Sequence, residues 1–266
     1  LSYRVWLQVG SEMNAEMSDS SDKPKEAVRV DVADPPTSRA APTVVFVAGE
    51  GRSGSTILDR CIGSVEATSS FNEMHEIVNQ FMRNKKRCSC GELPKDCPFW
   101  SKVFSDEVLR ENLDFLRKMH FQVDGSSSIF RLFFGLYGAN AHKRLRRYGE
   151  LTAHLYRCIG QVAGAKTIVD SSKNPSRALL LRRHAGLDVY CIHLVRNPAA
   201  VAASWRKSKR QNDDVLPVYA GDKSLNRWML KNLACELISL VMPYKRLCFE
   251  EFTSKPMTSL QDIKSW

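Results

Sequence analysis

Short apolar runs rich in β-branched residues alternate along the chain with longer amphipathic segments. The apolar runs predict buried strands at 43–48, 166–170, 188–195 and 245–249. The amphipathic segments predict helices at 55–64, 105–120, 140–163, 175–185, 198–210 and 222–240. Strands that alternate with helices favour a parallel sheet, because the chain needs a crossover to begin each new parallel strand. The predicted fold class is therefore α/β, with three α/β/α layers around a central parallel sheet.

The first 42 residues follow a different pattern. They hold four prolines and many serine and aspartate residues, with little apolar periodicity. Such a composition buries too little apolar surface to offset the entropy lost when a chain becomes ordered. We therefore expect a disordered leader over 1–42 and a single folded domain over 43–266.

Composition and charge narrow the classes of function. With 43% apolar and 26% charged residues, the 266-residue chain has enough side-chain material for a core. No run approaches the ~20 uninterrupted apolar residues that a bilayer-crossing helix needs. The net charge is +10, and because the leader has five basic and seven acidic residues, the remaining residues carry +12. An anionic partner is favoured: nucleic acid, anionic lipid, or a small molecule that bears phosphate or sulfate.

Two basic runs, at 83–87 and 142–147, predict solvated helix faces by default. The first run could also face an anionic acceptor. Nucleic acid is not expected as a partner, because the sequence has neither aromatic stacking platforms nor a recognisable nucleic-acid-binding module.

Eight cysteines are scattered over the predicted helices, the strands and one loop, which favours a reducing, cytoplasmic compartment. Three of them, Cys88, Cys90 and Cys97, cluster in the loop, which leaves a zinc site open as an alternative. Their spacing, C-x-C-x₆-C, lacks the paired C-x₂-C pattern and an obvious fourth ligand. We therefore predict no metal site.

A glycine-rich segment at 49–56 separates the first predicted strand from the first predicted helix. Backbone N–H groups in such a loop form a concave nest, and the helix N-terminus adds partial positive charge, so the segment predicts a phosphate or sulfate site. A plain glycine-rich turn is the alternative. The nucleoside-triphosphatase loop G-x₄-G-K-[ST] matches at Gly49 and Gly54, but Ser55 replaces its lysine. Without that lysine the loop is poorly suited to phosphoryl transfer with magnesium, although Arg52 could supply a charge.

Two segments, in the right order, resemble the sulfotransferases that use 3′-phosphoadenosine 5′-phosphosulfate (PAPS), specifically the bacterial and carbohydrate-type branch. Residues 194–204 look like that family's 3′-phosphate segment. The residues that look like its 5′-phosphosulfate loop are Gly51, Arg52, Ser53, Gly54, Ser55 and Thr56. The similarity covers most of 43–263 and includes weaker matches at 88–91, 97–100, 169–173 and 249–252.

This resemblance implies a P-loop NTPase-like sulfotransferase fold. It also implies an enzyme that moves a sulfuryl group from PAPS to a hydroxyl or amine of a small-molecule or carbohydrate acceptor. No metal is required for that transfer. The chain ends before the stretch that in many relatives forms a final loop over the nucleotide, so the domain is expected to be truncated at its carboxyl end.

The second segment also has a reading that depends on position alone. Arg196 closes a predicted buried strand, and Ser204 lies two turns into the helix that follows. Both can face the carboxyl edge of the sheet, where ligands of open α/β sheets bind. A guanidinium and a hydroxyl at that edge predict a clamp for the 3′-phosphate.

Candidate catalytic residues follow from the resemblance. In the resembling branch a glutamate at the place of Glu73 is the catalytic base, and His75 and Glu76 are rivals within the same turn. Lys173 is expected to place an ammonium group against the transferring group; an ion pair with Asp170 is the alternative.

Two other classes of function stay open. One is a P-loop phosphotransferase or kinase-like enzyme, which would need magnesium. The other is a non-catalytic anion-binding module, which would show no turnover. The sequence identifies neither the acceptor nor the oligomeric state.

Overall fold

The computed structural model describes residues 41–125, 128–206, 210–211, 214–215 and 221–266. The predicted disordered leader lies outside these residues apart from its last two. The end of the predicted helix over 198–210 lies partly outside them as well.

Five parallel strands form the central sheet, in the order β2-β3-β1-β4-β7. A second pair, β5 and β6, is short and antiparallel. The strands are β1 (Thr43–Ala48), β2 (Thr68–Ser70), β3 (Thr167–Lys173), β4 (Val189–Val195), β5 (Arg210–Gln211), β6 (Asp214–Val215) and β7 (Tyr244–Cys248).

Helices follow or connect these strands. They are α1 (Ser55–Gly63), α2 (Ile77–Arg83), α3 (Pro98–Val103), α4 (Glu107–Val123), α5 (Ile129–Phe134), α6 (Ala139–Ala163), α7 (Pro175–Arg183), α8 (Pro198–Arg206), α9 (Gly221–Ile238), α10 (Phe249–Ser254) and α11 (Pro256–Lys264). A 3₁₀ turn at Met74–Glu76 precedes α2. Among the described residues, no helix combines the length and the apolar content that crossing a bilayer requires.

Apolar side chains pack on both faces of the sheet. Consecutive residues of a strand point to opposite faces, so Phe46 of β1 joins one apolar cluster and Val47 joins another. The first cluster includes residues of α4 and α6, and the second includes Leu58 of α1 and Phe252 of α10. The predicted three-layer α/β/α architecture with a central parallel sheet is confirmed.

The four predicted strands are present, and most predicted helices agree with the structure apart from their ends. Strand β2 was not predicted, because Thr-Ser-Ser carries no apolar run. Strand β3 extends to Lys173, beyond the predicted end at residue 170. The apolar pattern missed its last three residues because they are polar, although Ser171 and Ser172 are buried.

The end of β3 contains an irregularity that positions the site. Phe46 of β1 lies opposite Asp170, whereas Ala48 lies opposite Lys173, so two residue steps on β1 face three on β3. An extra residue of this kind is a β-bulge, which re-aims the side chains that follow it. As a result Lys173 lies beside Ala48, the last residue before the glycine-rich segment.

Candidate functional site

Three predicted parts of the site meet where β1, β3 and β4 end side by side. Residues 49–56, here called the anion loop, follow β1. The Gly49 N–H donates to the Lys173 carbonyl oxygen at 3.1 Å. From the other side, Arg196 Nη1 donates to the Arg52 carbonyl oxygen at 2.8 Å. The strand order therefore brings the loop, the lysine and the arginine together at the carboxyl edge of the sheet.

The backbone of the anion loop needs glycine at two positions. Gly54 precedes α1 with φ of 92°, and a Cβ atom there would lie 2.1 Å from the Phe249 ring. Gly49 has φ of 143°, and its Cβ would lie 2.5 Å from the Leu194 carbonyl oxygen. A side chain added at either position would force an unfavourable backbone conformation and would overlap neighbouring atoms. The loop is therefore packed closely against β4 and the segment after β7.

Several polar atoms beside the anion loop have no hydrogen-bond partner among the described residues. They are buried and include Arg52 Nε and Nη2, Arg196 Nε and the Ser53 hydroxyl. Buried donors are normally satisfied, so unsatisfied ones clustered at one place require a ligand or ordered solvent. The first N–H groups of α1 add further donors without intrahelical partners. This set of donors fits an anionic group such as phosphate or sulfate.

Aromatic rings hold the two guanidinium groups in place. The Arg52 guanidinium carbon lies 4.8 Å from the centre of the Trp205 ring, and that of Arg196 lies 4.6 Å from the centre of the Phe249 ring. Stacking on a ring orients the planar guanidinium and leaves its edge available for a bidentate contact. Sequence reasoning did not select either ring as a functional residue, although Phe249 begins one of the weaker matches.

The remaining predicted binding residues differ in exposure. Gly51 packs against Trp205, since a Cβ at Gly51 would lie 2.7 Å from its ring. Ser55 is buried at the first position of α1, and Thr56 is exposed at the second. Ser204 is half-buried near the end of α8. Its part in a clamp with Arg196 stays a prediction.

Glu73 and Lys173 form an ion pair at the end of β3, in which the ammonium donates to Glu73 Oε1. The Lys173 side chain is 21% exposed and that of Glu73 is 46% exposed, so the pair is open to an incoming molecule. Lys173 has φ of 65°, a left-handed conformation that is unfavourable for lysine. The alternative prediction of an ion pair between Lys173 and Asp170 is wrong. Asp170 is buried and accepts hydrogen bonds from Tyr156 and Ser172 instead.

The charge of the pair fixes the ionisation of the carboxylate. Burial raises the pKa of Glu73. The nearby Lys173 ammonium and its hydrogen bond together lower it by more than burial raises it, so the pKa lies below its ordinary value. Glu73 is therefore ionised at neutral pH and has a free lone pair for a proton.

Three solved sulfotransferases are similar to this chain. The sulfotransferase domain from the curacin biosynthetic pathway aligns over 84% of this chain and 72% of its own, with 16% identity and a TM-score of 0.45. Sulfotransferase STF9 from Mycobacterium avium aligns over 85% and 64%, with 13% identity and a TM-score of 0.48. For sulfotransferase STF1 from Mycobacterium tuberculosis H37Rv the values are 84%, 67%, 14% and 0.44. No family model and no curated protein matches the chain.

The two rival bases occupy different surroundings. Burial lowers the pKa of His75, and its Nδ1 atom is buried without a partner among the described residues. His75 is therefore neutral near pH 7 and able to accept a proton. A hydrogen bond from His120 lowers the pKa of Glu76 to about 2 and occupies its carboxylate. Glu76 Oε1 lies 3.5 Å from His120 Nε2, whereas Lys173 pairs with Glu73.

A buried polar network supports this part of the site. Arg177, fully buried, donates to Asp124 at 2.8 Å and lies 3.9 Å from Asp170. The Tyr156 hydroxyl donates to Asp170 at 2.5 Å, and the Ser172 N–H donates to it at 2.9 Å. The network fixes the end of β3, because each buried charge needs its partners. Sequence reasoning missed it, since an arginine in an apolar helix gives no signal of its partners.

The network leads to a pH-dependent stability. Burial lowers the pKa of His120, but Asp124 at 2.9 Å and Glu76 at 3.5 Å raise it to about 9. A histidine whose folded pKa is raised contributes stability that is complete below its unfolded pKa near 6.5 and is lost as the pH rises through 9. We expect the free energy of unfolding to fall by at most about 3 kcal/mol between pH 6 and 9.5.

Urea unfolding at several pH values measures this effect. His120→Gln should flatten the pH dependence over that range, whereas the same change at the exposed His142 should leave it in place. An unchanged slope in His120→Gln contradicts the assignment of a charged His120.

Proposed function

We propose that this protein is a sulfotransferase that moves a sulfuryl group from PAPS to a hydroxyl or amine of a small-molecule or carbohydrate acceptor. One observation carries the proposal: the anion loop, which has Ser55 in place of the lysine of nucleoside-triphosphatase loops, lies next to the Glu73–Lys173 ion pair at the edge of the sheet. The loop supplies an anion site, and the pair supplies a base and a cation for group transfer. The domain boundary at residue 43 and a cytoplasmic location remain predictions.

Donor binding is assigned to the anion loop and the segment after β4. Gly51, Arg52, Ser53, Gly54, Ser55 and Thr56 would surround the 5′-phosphosulfate. Arg196 and Ser204 would bind the 3′-phosphate. The unpartnered donors of Arg52, Ser53 and Arg196 support this assignment, because a buried anion would satisfy them.

The transfer itself uses the ion pair. The donor supplies an activated sulfur–oxygen bond. Glu73 takes the proton of the acceptor hydroxyl or amine as the new bond to sulfur forms, and the sulfur–oxygen bond to the 5′-phosphate breaks. Lys173 stabilises the negative charge that develops on the leaving oxygen. His75 remains the rival for the base, because its imidazole is neutral at pH 7.

Sulfuryl transfer is favoured over phosphoryl transfer by two features. Ser55 stands where the phosphate-binding lysine would be. Asp170, the acid at the end of β3 that could hold magnesium, is fully buried and accepts hydrogen bonds from Tyr156 and Ser172. A carboxylate with those partners is poorly placed to coordinate a metal at the sheet edge.

The test offers labelled PAPS and a panel of simple phenols, amines and hexoses to the purified full chain in excess chelator. We expect label to move to at least one acceptor, and Arg196→Ala to weaken binding of the bisphosphate product by about 2 to 4 kcal/mol. In a parallel assay with labelled ATP and Mg²⁺ in place of the chelator, transfer of label would identify a kinase instead. Tight product binding without any turnover would identify an anion-binding module.

A further inference from the structure

Three thiols outside the proposed active site converge in space. The Sγ atoms of Cys90 and Cys97 lie 3.5 Å apart, and those of Cys97 and Cys88 lie 3.7 Å apart. All three sulfur atoms are within 4.8 Å of one another. None of the three forms a disulfide in this structure.

We propose that Cys88, Cys90 and Cys97 bind one Zn²⁺ ion through their thiolates. In a tetrahedral zinc site with Zn–S bonds of about 2.3 Å, two sulfur atoms lie about 3.8 Å apart. The two short separations are close to that edge length, so the thiols outline one face of such a tetrahedron. The inference departs from the prediction of no metal site, and it stands apart from the proposed sulfuryl transfer.

Local backbone structure explains how an unpaired spacing produces a converged set. The Cys88 N–H donates to the Glu92 carbonyl oxygen at 2.8 Å, and the Gly91 N–H donates back to Cys88 at 3.0 Å. This closed turn projects the first two thiols to one side. The Cys97 N–H donates to the Leu93 carbonyl oxygen at 2.8 Å, which turns the chain so that the third thiol meets them. The fold thus brings the three thiols together, which the C-x-C-x₆-C spacing alone does not predict.

The surroundings suit a metal with three thiolates. Zn²⁺ with three thiolates carries one net negative charge, and the basic run 83–87 directly precedes the first ligand. Arg87 Nη1 donates to the Gly91 carbonyl oxygen at 2.7 Å, so one of these cations is fixed against the turn. Cys97 is buried, whereas Cys90 is exposed, so the site has both a rigid ligand and an entry side.

The fourth position falls to solvent. Over the described residues, no further histidine, cysteine, aspartate or glutamate joins the three thiols. The residues outside the described ranges contain no cysteine or histidine. Water would complete the tetrahedron, as in other zinc sites with three protein ligands.

The metal would brace one wall of a groove. Ser89, between two of the ligands, lines an open groove of about 590 Å³ together with Phe71, Asn72 and Phe99. Asn72 directly precedes Glu73, so the groove adjoins the proposed base. Zinc at this loop would fix Ser89 against the groove. This role depends on the proposed function, whereas the metal site does not.

The experiment uses reduced, metal-free full chain under anaerobic conditions, titrated with Co²⁺ as a spectroscopic probe. We expect one equivalent to bind, with thiolate-to-metal charge transfer and the intense visible bands of tetrahedral cobalt, and one equivalent of Zn²⁺ to displace it. Cys90→Ser should bind at least ~100-fold more weakly, since a lost ligand costs more than a lost outer partner. Cys248→Ser, at an exposed cysteine outside the cluster, is the matched control.

Other results overturn the site. Absence of the charge-transfer band in the parent protein excludes thiolate coordination whatever the variants do. Equal losses in Cys90→Ser and Cys248→Ser place the metal elsewhere. A Cys90–Cys97 disulfide in freshly purified protein, with no metal bound after reduction, identifies a redox pair instead. None of these readouts depends on transfer activity, so failure of the proposed function and failure of this site are distinguishable.

Discussion

Turnover of the Glu73→Gln variant is expected to fall by roughly 10² to 10⁴, with affinity for the bisphosphate product nearly unchanged. The amide oxygen of glutamine can still accept a hydrogen bond from Lys173, so the shape of the site is kept. What the variant loses is the carboxylate that takes the acceptor proton. Initial rates at saturating donor, with the most active acceptor of the panel, measure the effect.

Two neighbours in the same turn serve as controls. Glu76→Gln changes a carboxylate that pairs with His120, so it should affect stability more than the rate. His75→Ala removes the neutral imidazole that competes for the role. Full activity in Glu73→Gln together with a loss in His75→Ala would transfer the base to the histidine.

The pH profile separates a base from a purely structural glutamate. Lys173 lowers the pKa of Glu73, so Lys173→Met should raise it. A base must be deprotonated to work, and the acidic limb of kcat/KM should therefore move to higher pH in that variant. A profile of unchanged shape would show that Glu73 does not titrate in the reaction.

Product binding is expected to be lost, by at least ~100-fold, in Gly54→Val. The added side chain meets the Phe249 ring, which stacks on the Arg196 guanidinium, and it forces a branched residue into φ of 92°. Arg196 loses its stacking partner when that ring moves, and the backbone nest loses its shape. Isothermal titration with the bisphosphate product measures the change.

Gly135→Ala separates a lost binding site from general backbone strain. Gly135 has φ of 67°, but a Cβ there would meet nothing within 4 Å. This variant should be destabilised by about 1 kcal/mol while it binds product normally. If Gly54→Val also binds product normally and unfolds cooperatively, the anion loop does not hold the donor.

The sheet could be predicted from sequence because its strands carry a direct signal. Residues 44–48 form an uninterrupted apolar run, and such a run in a parallel sheet is buried on both faces. Strand β2 has no such run, since its three residues are small and polar. Pairing with β3, rather than composition, makes it a strand, and pairing between distant segments cannot be read from local pattern.

Site residues were predictable where they follow strand ends and not where side chains alone meet. The anion loop and Arg196 directly follow predicted strands, and Lys173 lies three residues after another, so topology brings them together. The ion pair joins residues 100 positions apart, and the contact of Arg196 with the loop spans 144 positions. The convergence of the three loop cysteines could not be predicted from their spacing, because spacing rules describe regular zinc motifs, whereas a turn and a helix start place these thiols.

The bulge at the end of β3 makes chain length, rather than residue type, the property under tightest constraint. Side chains of a strand alternate between faces, so removing one residue between Asp170 and Lys173 would turn the ammonium to the opposite side of the sheet. Insertions and deletions there would separate Lys173 from Glu73 even if every functional residue were retained. We therefore expect homologous chains to vary in length within surface connections and to keep a fixed count across this stretch.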